Sequence, residues 1–173
     1  MPYPAANAIT VRRARTSDVP SVRRLVDPYV SEGILLDKAT VTLYEAIQEF
    51  WVAEREEDGT VVGCGALHVI WEDLAEVRTL AVDPLLKGTG IGHQLLDKLL
   101  QTARWLEVRR VFCLTFEVDF FGKHGFVEIG ETPVDGDVYT ELLRSYDEGV
   151  AEFLGLERVK PNTLGNSRML LHL

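Results

Sequence analysis

From Ile9 to Arg15 apolar and polar positions alternate, the period of a half-exposed strand. Val19, Val22, Val26 and Tyr29 then recur at helical spacing. Thr16-Ser17-Asp18 offers the N-cap, and Pro20 stands in the first turn. Gly33-Ile34-Leu35-Leu36 breaks this helix and carries three aliphatic side chains across a loop. Such a loop is expected to pack over a site or a partner. Leu43, Ile47 and Phe50 mark a second helix. Trp51 to Glu54, Val61 to Ile70 and Ala75 to Val82 read as strands. Short turns at Glu57-Asp58-Gly59-Thr60 and Trp71-Glu72-Asp73 join them into an antiparallel meander.

The third of these strands stops at Asp83-Pro84, and glycines follow at alternate positions 88, 90 and 92. Ile91, Leu95, Leu96, Leu99, Leu100 and Ala103 then define an amphipathic helix. Arg110 to Thr115 predicts a buried strand. Phe120 to His124 predicts a short helix closed by Gly125, and Phe126 to Ile129 another strand. A turn at Pro133 to Gly136 leads into a single helix from Val138 to Leu154, read from Leu142, Leu143, Tyr146, Val150, Phe153 and Leu154. Ser167 to Leu173 is an apolar final strand. No repeat, linker or low-complexity stretch interrupts this order, so residues 1–173 are expected to form one domain. The fold class is α/β (α+β), a mixed sheet with its parallel part around the helix after the glycines.

Composition narrows the partners. The 173 residues carry a formal net charge of −9. An acidic surface argues against nucleic acid or an anionic membrane as the main partner. The start lacks the basic and apolar regions of a signal peptide. No run approaches the roughly 20 apolar residues that span a bilayer. A soluble cytoplasmic protein is expected, and a homodimer is compatible with it. Cys64 and Cys113 each lie within an apolar run and read as reduced core thiols. His68, His93, His124 and His172 are scattered without ligand spacing, so no metal site is expected.

Strand, glycine-rich turn and helix start together favour a phosphate held by backbone N–H groups. A P-loop would need GxxxxGK[ST], which the chain does not supply. A dinucleotide fingerprint needs GxGxxG after the first strand of a doubly wound sheet. Gly88-Thr89-Gly90-Ile91-Gly92-His93 lacks the last glycine and follows a meander. The stretch Leu80-Ala81-Val82-Asp83-Pro84 followed by Lys87-Gly88-Thr89-Gly90-Ile91-Gly92 instead resembles the acetyl-CoA site of the GNAT superfamily of N-acetyltransferases. Lys87 stands where the signature has Arg or Gln, and still meets a phosphate as a point charge. Phe120-Phe121-Gly122-Lys123-His124-Gly125-Phe126 resembles the superfamily's second landmark, F-[YF]-x-x-x-G-F. The resemblance implies a largely antiparallel sheet flanked by helices. It implies acetyl-CoA with its pyrophosphate on the amides of Lys87, Gly88, Thr89, Gly90, Ile91 and Gly92. Its pantetheine arm would lie along Leu80, Ala81 and Val82, with Phe121 against the cofactor.

Further segments resemble the acetyltransferase domain of N-acetylglutamate synthases. They are Arg13-Ala14-Arg15 with Asp18, Gly33-Ile34-Leu35, Gly63-Cys64-Gly65-Ala66-Leu67, Glu76-Val77-Arg78-Thr79-Leu80-Ala81-Val82 and Phe112-Cys113-Leu114-Thr115. Asn166-Ser167-Arg168-Met169-Leu170 resembles the family's basic Ser-Lys strand. Asp37-Lys38-Ala39 follows the Gly-Ile-Leu loop where members tend to place Arg-Ser. Larger members carry a preceding amino-acid-kinase-like domain for which this chain has no room. A short stand-alone form is expected, without arginine feedback through that domain.

The implied reaction is acetylation of the α-amino group of L-glutamate, the opening step of arginine biosynthesis. A neutral amine must attack the thioester, which calls for proximity and a proton acceptor. Glu76 is the candidate general base, acting directly or through water. Arg15, Lys38, Arg78, Thr115 and Arg168 are candidates to hold the substrate carboxylates. Arg78 and Arg168 lead, because a guanidinium pairs a carboxylate bidentately. Many superfamily members protonate the departing thiolate with a tyrosine at the place of Phe121, which has no proton to give. Tyr139 and Tyr146 are substitutes that no motif position supports. A thiolate with a pKa of about 8.5 also leaves unaided. The competing acceptors are L-glutamine and, drawn by the acidic charge, a polyamine. A non-catalytic CoA-binding or sensing domain is the reading from a different class.

Overall fold

The computed structural model describes residues 8–130, 132–154 and 166–173. Strands β1 (Ile9–Arg13), β2 (Phe50–Arg55), β3 (Val61–Trp71), β4 (Leu74–Val82), β5 (Arg110–Thr115), β6 (Val127–Glu128) and β7 (Ser167–His172) form one sheet in the order β1-β2-β3-β4-β5-β7-β6. β2 to β4 are the antiparallel meander read from the sequence, and β1 extends it by pairing antiparallel with β2. Among the described residues the β4–β5 pair alone is parallel. It spans the crossover through α3 (Ile91–Trp105), as parallel neighbours require. β7 slots between β5 and β6 and pairs with both.

The sheet buries both faces. On one, α1 (Val19–Ser31) and α2 (Thr40–Glu45) cover Val52, Cys64, Ala66 and Ala81. Farther along that face, α5 (Gly136–Leu142) and α6 (Glu148–Phe153) cover Leu74, Phe112 and Leu170. Phe153 stacks on Phe112 with ring centroids 4.0 Å apart. The other face carries α3 and α4 (Val118–Gly122). Every apolar position expected to point inward from α3 is buried. Gly63 and Gly65 let this helix approach closely. A Cβ on the first would meet Leu95 Cδ1 at 3.0 Å, and on the second Leu99 Cδ1 at 3.1 Å.

Three expectations change. The long helix over 138–154 is two helices, with Leu143 to Asp147 breaking it. Ser145 and Asp147 are turn and cap formers, Ser145 bracing the turn and Asp147 capping α6. Ser145 Oγ accepts from the Asp147 N–H at 3.2 Å, and the Asp147 carboxylate accepts from the Val150 N–H at 3.0 Å. The apolar residues kept helical spacing across a turn that these caps terminate. The second helix is one short turn followed by a 3₁₀ turn at Ile47–Glu49. Asp18 does not cap α1. Its carboxylate reaches back to the Arg15 N–H at 2.7 Å and pairs with Arg12 at 2.8 Å.

Candidate active site

The parallel strands at the centre of the sheet stay together only briefly. β4 and β5 are paired from Leu74 to Glu76 and from Arg110 to Phe112, and then they part. β4 also gains a residue there. Ala66 faces Arg78, but Cys64 faces Ala81, and Thr79 takes φ +55° in the bulge. The gap is a cleft of about 510 Å³. Val77 to Val82 form one wall and Cys113 to Glu117 the other. Ile34 and Leu35, the aliphatic loop, close one end. Phe120, Phe121 and Lys123 close the other, beside the start of α3.

The residues expected to meet the cofactor gather here. Leu80, Ala81, Val82, Lys87, Gly88, Gly90, Ile91, Gly92 and Phe121 all line the cleft. Thr89 does not. Its hydroxyl donates to the Leu86 carbonyl at 2.6 Å and tightens the loop. Gly88 and Gly90 hold φ of +79° and +89°, and the space where a Cβ would stand is open at both. First-turn amides of a helix have no intrahelical acceptor, and here they face that space with the positive end of a 15-residue helix behind them. The Lys87 ammonium lies 5.0 Å from the centre of the Tyr29 ring, and the Tyr29 hydroxyl donates to the Val82 carbonyl at 2.7 Å. An anionic diphosphate fits the glycine end. The β4 edge beyond Glu76 is free of β5 and can take an amide-bearing arm by main-chain bonds.

Charge collects where the strands part. Glu76 and Arg78 are buried on the face that α6 covers. Arg78 Nη2 lies 2.5 Å from Glu76 Oε2 and 2.7 Å from Asp147 Oδ1, while Nη1 donates to Asp147 Oδ2 at 2.7 Å. Nε donates to Glu76 Oε2 at 3.1 Å. His68 extends the network, with Nδ1 2.7 Å from Glu49 and Nε2 3.8 Å from Asp147. Burial alone would raise the Asp147 pKa, but the Arg78 bonds and charge outweigh it and hold the carboxyl well below its ordinary range. Lys38 approaches the same cluster. Burial and the Arg78 charge push its ammonium pKa down, against the pull of Asp147, Glu76 and Glu49. Arg23 fixes the Lys38 segment, donating to the Lys38 carbonyl and to Asp37.

The candidate base, Glu76, and the leading carboxylate ligand, Arg78, therefore hold each other. A guanidinium has five N–H groups. One on Nε, one on Nη1 and two on Nη2 are engaged by Glu76 and Asp147, so one on Nη1 is left. Arg78 does not offer a free fork to an incoming carboxylate while Asp147 is docked. Thr115 lines the cleft, and its hydroxyl oxygen accepts from the Glu117 N–H at 2.8 Å. Arg15 is exposed and outside the cleft. Arg168 faces α6 and donates to the Glu152 carbonyl at 3.3 Å. Neither Tyr139, packed in the α5 cluster, nor Tyr146, 97% exposed, lines the cleft.

Asp147, His93 and Tyr29 are the residues that the motifs did not reveal. Asp147 lies 69 positions from Arg78, and only its place beside Ser145 as a helix cap was a local signal. Cys113 lies against the cleft with its thiol kept protonated by burial. Burial pushes the Cys64 thiol up to about 12. Among the described residues no three His, Cys, Asp or Glu side chains are placed to hold a metal ion, and no helix is long and apolar enough to cross a membrane.

Residues 21–126 match the acetyltransferase (GNAT) family. An amino-acid acetyltransferase of Mycobacterium tuberculosis is 65% identical over 162 residues, 93% of this chain and 92% of that protein. An amino-acid acetyltransferase of Neisseria meningitidis is 33% identical over 125 residues, 71% of this chain but 28% of the longer protein. A Mycobacterium tuberculosis crystal structure in complex with CoA and NLQ superposes with a TM-score of 0.91 at 64% identity, covering 95% of this chain and 99% of that one. The N-acetylglutamate synthase of Neisseria gonorrhoeae, complexed with coenzyme A and N-acetyl-glutamate, has the same fold. Its TM-score is 0.76 at 24% identity, over 98% of this chain and 36% of that one. The cleft between the parted strands thus has a family to go with its geometry, and this chain belongs to the GNAT acetyltransferases as an acetyl-CoA-dependent N-acetyltransferase.

Proposed function

We propose that the enzyme acetylates the α-amino group of L-glutamate, the opening step of arginine biosynthesis. The observation that carries this reading is the buried Glu76–Arg78–Asp147 cluster, with Lys38 beside it, at the point where β4 leaves β5. The relatives named above, an amino-acid acetyltransferase and an N-acetylglutamate synthase, support it.

Acetyl-CoA supplies an activated acyl group as a thioester. The amides from Lys87 to Gly92 hold its diphosphate, and the 80–82 edge aligns its arm along the cleft. Glu76 Oε2 is bound to Arg78, but Oε1 has no hydrogen-bond partner among the described residues. Oε1 therefore takes the amine proton, through a water because Glu76 is buried behind the cleft wall. Arg78 orients the Glu76 carboxylate through Oε2. Lys38 lacks an ion-pair partner among the described residues and holds a substrate carboxylate in place of the engaged Arg78. Thr115 contributes a hydroxyl from the opposite wall.

L-glutamine is the second reading. Arg78 is paired with two carboxylates, and Lys38 is the cation beside that cluster without an ion-pair partner among the described residues. Two carboxylates are harder to neutralise there than a carboxylate and an amide. A thiol-release assay over glutamate, glutamine and polyamines decides. Turnover fastest with glutamate supports the proposal, and faster glutamine turnover transfers it to the amide. Polyamine turnover alone, or CoA binding without turnover, overturns it. Replacing Lys38 by Met should raise the amino-acid KM at least about tenfold, with the acetyl-CoA KM little changed. Equal effects on both would remove Lys38 from the acceptor site.

A further inference from the structure

His93 and His124 meet where α3 adjoins α4. His93 Nδ1 lies 2.6 Å from His124 Nε2. The ring planes differ by 24° with centroids 4.9 Å apart. Near-coplanar rings touching through nitrogens are joined edge to edge by an in-plane N–H···N bond. Phe120 covers a face of His93, with centroids 4.6 Å apart. The outer nitrogen of His124, Nδ1, lies 3.6 Å from Asp97 Oδ1. The outer nitrogen of His93, Nε2, has no hydrogen-bond partner among the described residues. His93 lines the cleft, one residue beyond Gly92 in the first turn of α3.

The protons on this chain can be counted. Two neutral imidazoles carry one N–H each. If His93 donates to His124, then His124 Nδ1–H meets Asp97, but His93 Nε2 shows a lone pair to the cleft. If His124 donates to His93, then His93 Nε2–H faces the cleft, but His124 Nδ1 sets a lone pair against the Asp97 carboxylate. One added proton removes the conflict. His124 then donates to His93 and turns its other N–H towards the Asp97 carboxylate as an ion pair, and His93 donates into the cleft. That arrangement matches a carboxylate at one end and an anion at the other.

We propose that the His93–His124 pair takes up one proton from solvent when an acyl-CoA occupies the cleft, with His93 Nε2–H donating to a phosphate oxygen. Without the ligand, burial and the neighbouring His93 hold His124 below the ordinary imidazole range, against the pull of Asp97. A charged His124 is thus disfavoured in the empty cleft, and the added proton arrives with the anion. Lys87 and Lys123, on the cleft wall with Glu117, add to the pull on the phosphate but oppose a further positive charge, while Asp97 favours the proton. Arg78 is charge-paired at the far end of the cleft. The site makes cofactor affinity respond to pH through residues outside the glycine loop.

Titration calorimetry in two buffers of different ionisation enthalpy measures the proton uptake. The probes are acetyl-CoA and S-acetylpantetheine, which has no diphosphate. The wild type should take up a fraction of a proton with acetyl-CoA near pH 7 and none with S-acetylpantetheine. His93→Gln and His124→Leu should lose that fraction, and titration of the ligand's own phosphate subtracts out because it is common to all three proteins. Relative to His124→Leu, wild-type affinity should tighten about three- to tenfold between about pH 8 and about pH 6. Equal uptake in wild type and His93→Gln overturns the proposal. The imidazole pKa values of the wild type, followed by NMR, keep the question answerable if the variants do not fold. A rise on adding CoA supports the proton uptake, and no change or a fall overturns it.

Discussion

Arg78 holds two carboxylates at once, and the backbone makes room for it. Gly149, near the start of α6, presses against the ion cluster. A Cβ there would stand 2.7 Å from both Arg78 Nη2 and Glu76 Oε2, and 3.1 Å from Asp147 Oδ1. Those atoms are mutually bound and mostly buried, so they yield little. Gly149→Ala should therefore lift α6 from the sheet, with a loss of about 1–3 kcal/mol in stability. The amino-acid KM should rise while acetyl-CoA affinity stays close to wild type. Urea unfolding and steady-state kinetics check this, and an unchanged midpoint with an unchanged KM would show that α6 is not seated there. At this scale the sequence was readable by type but not by pairing. Glu76 and Arg78 stood out through their motif. That they bind each other, and that Asp147 completes the pair, depends on a contact between positions 78 and 147. The same holds for His93 and His124, 31 positions apart.

The glycine loop and α3 act as a unit. The strand ends, Asp83 caps a 3₁₀ turn by accepting from the Leu85 N–H at 3.0 Å, and Gly90 enters α3 at φ +89°. A β-branched residue at that φ costs about 1–3 kcal/mol and puts a side chain over the amides. Gly90→Val should weaken acetyl-CoA binding at least about tenfold by calorimetry while α3 stays folded. Unchanged affinity would remove the loop from the cofactor site. This element was legible because each part is local: a turn residue for each turn, a 3.6 period for the helix, a strand-end proline. The helix over 138–154 shows the opposite. Leu142, Val150, Phe153 and Leu154 do face the core, but Leu143 and Tyr146 fall in the break and are exposed, and the Asp147 cap starts a second helix. Apolar spacing alone shows neither that the backbone stays helical between such residues nor that each of them is buried.

Across the whole molecule, two arginines, Arg12 partly buried and Arg78 buried, tie surface elements to the sheet. Arg12 joins β1 to the turn before α1 through Asp18, and Arg78 joins β4 to α6 through Asp147. The Arg12 hydrogen bond and Arg78 respectively hold Asp18 and Asp147 below their ordinary carboxylate range. A carboxylate with a depressed folded-state pKa stabilises the fold above its unfolded-state value, about pH 4. That stabilisation fades as pH falls from there through the folded-state value. Urea midpoints should be level from about pH 7 to about pH 5 and drop steeply below about pH 4. Asp147→Asn should be less stable at neutral pH and show a shallower acid drop. An acid drop as steep as wild type would mean that Asp147 gains nothing from Arg78. The sequence by itself determined the order of the strands, the meander, the core face of α3 and the glycine-rich start of that helix. Each of these follows from side-chain period, turn chemistry or backbone freedom within a few residues. The tertiary structure alone decided that β7 enters between β5 and β6, that β4 and β5 part after three residue pairs, and which charges meet in the opening. Those outcomes depend on packing and electrostatics between segments far apart in the chain, where no local pattern records the partner.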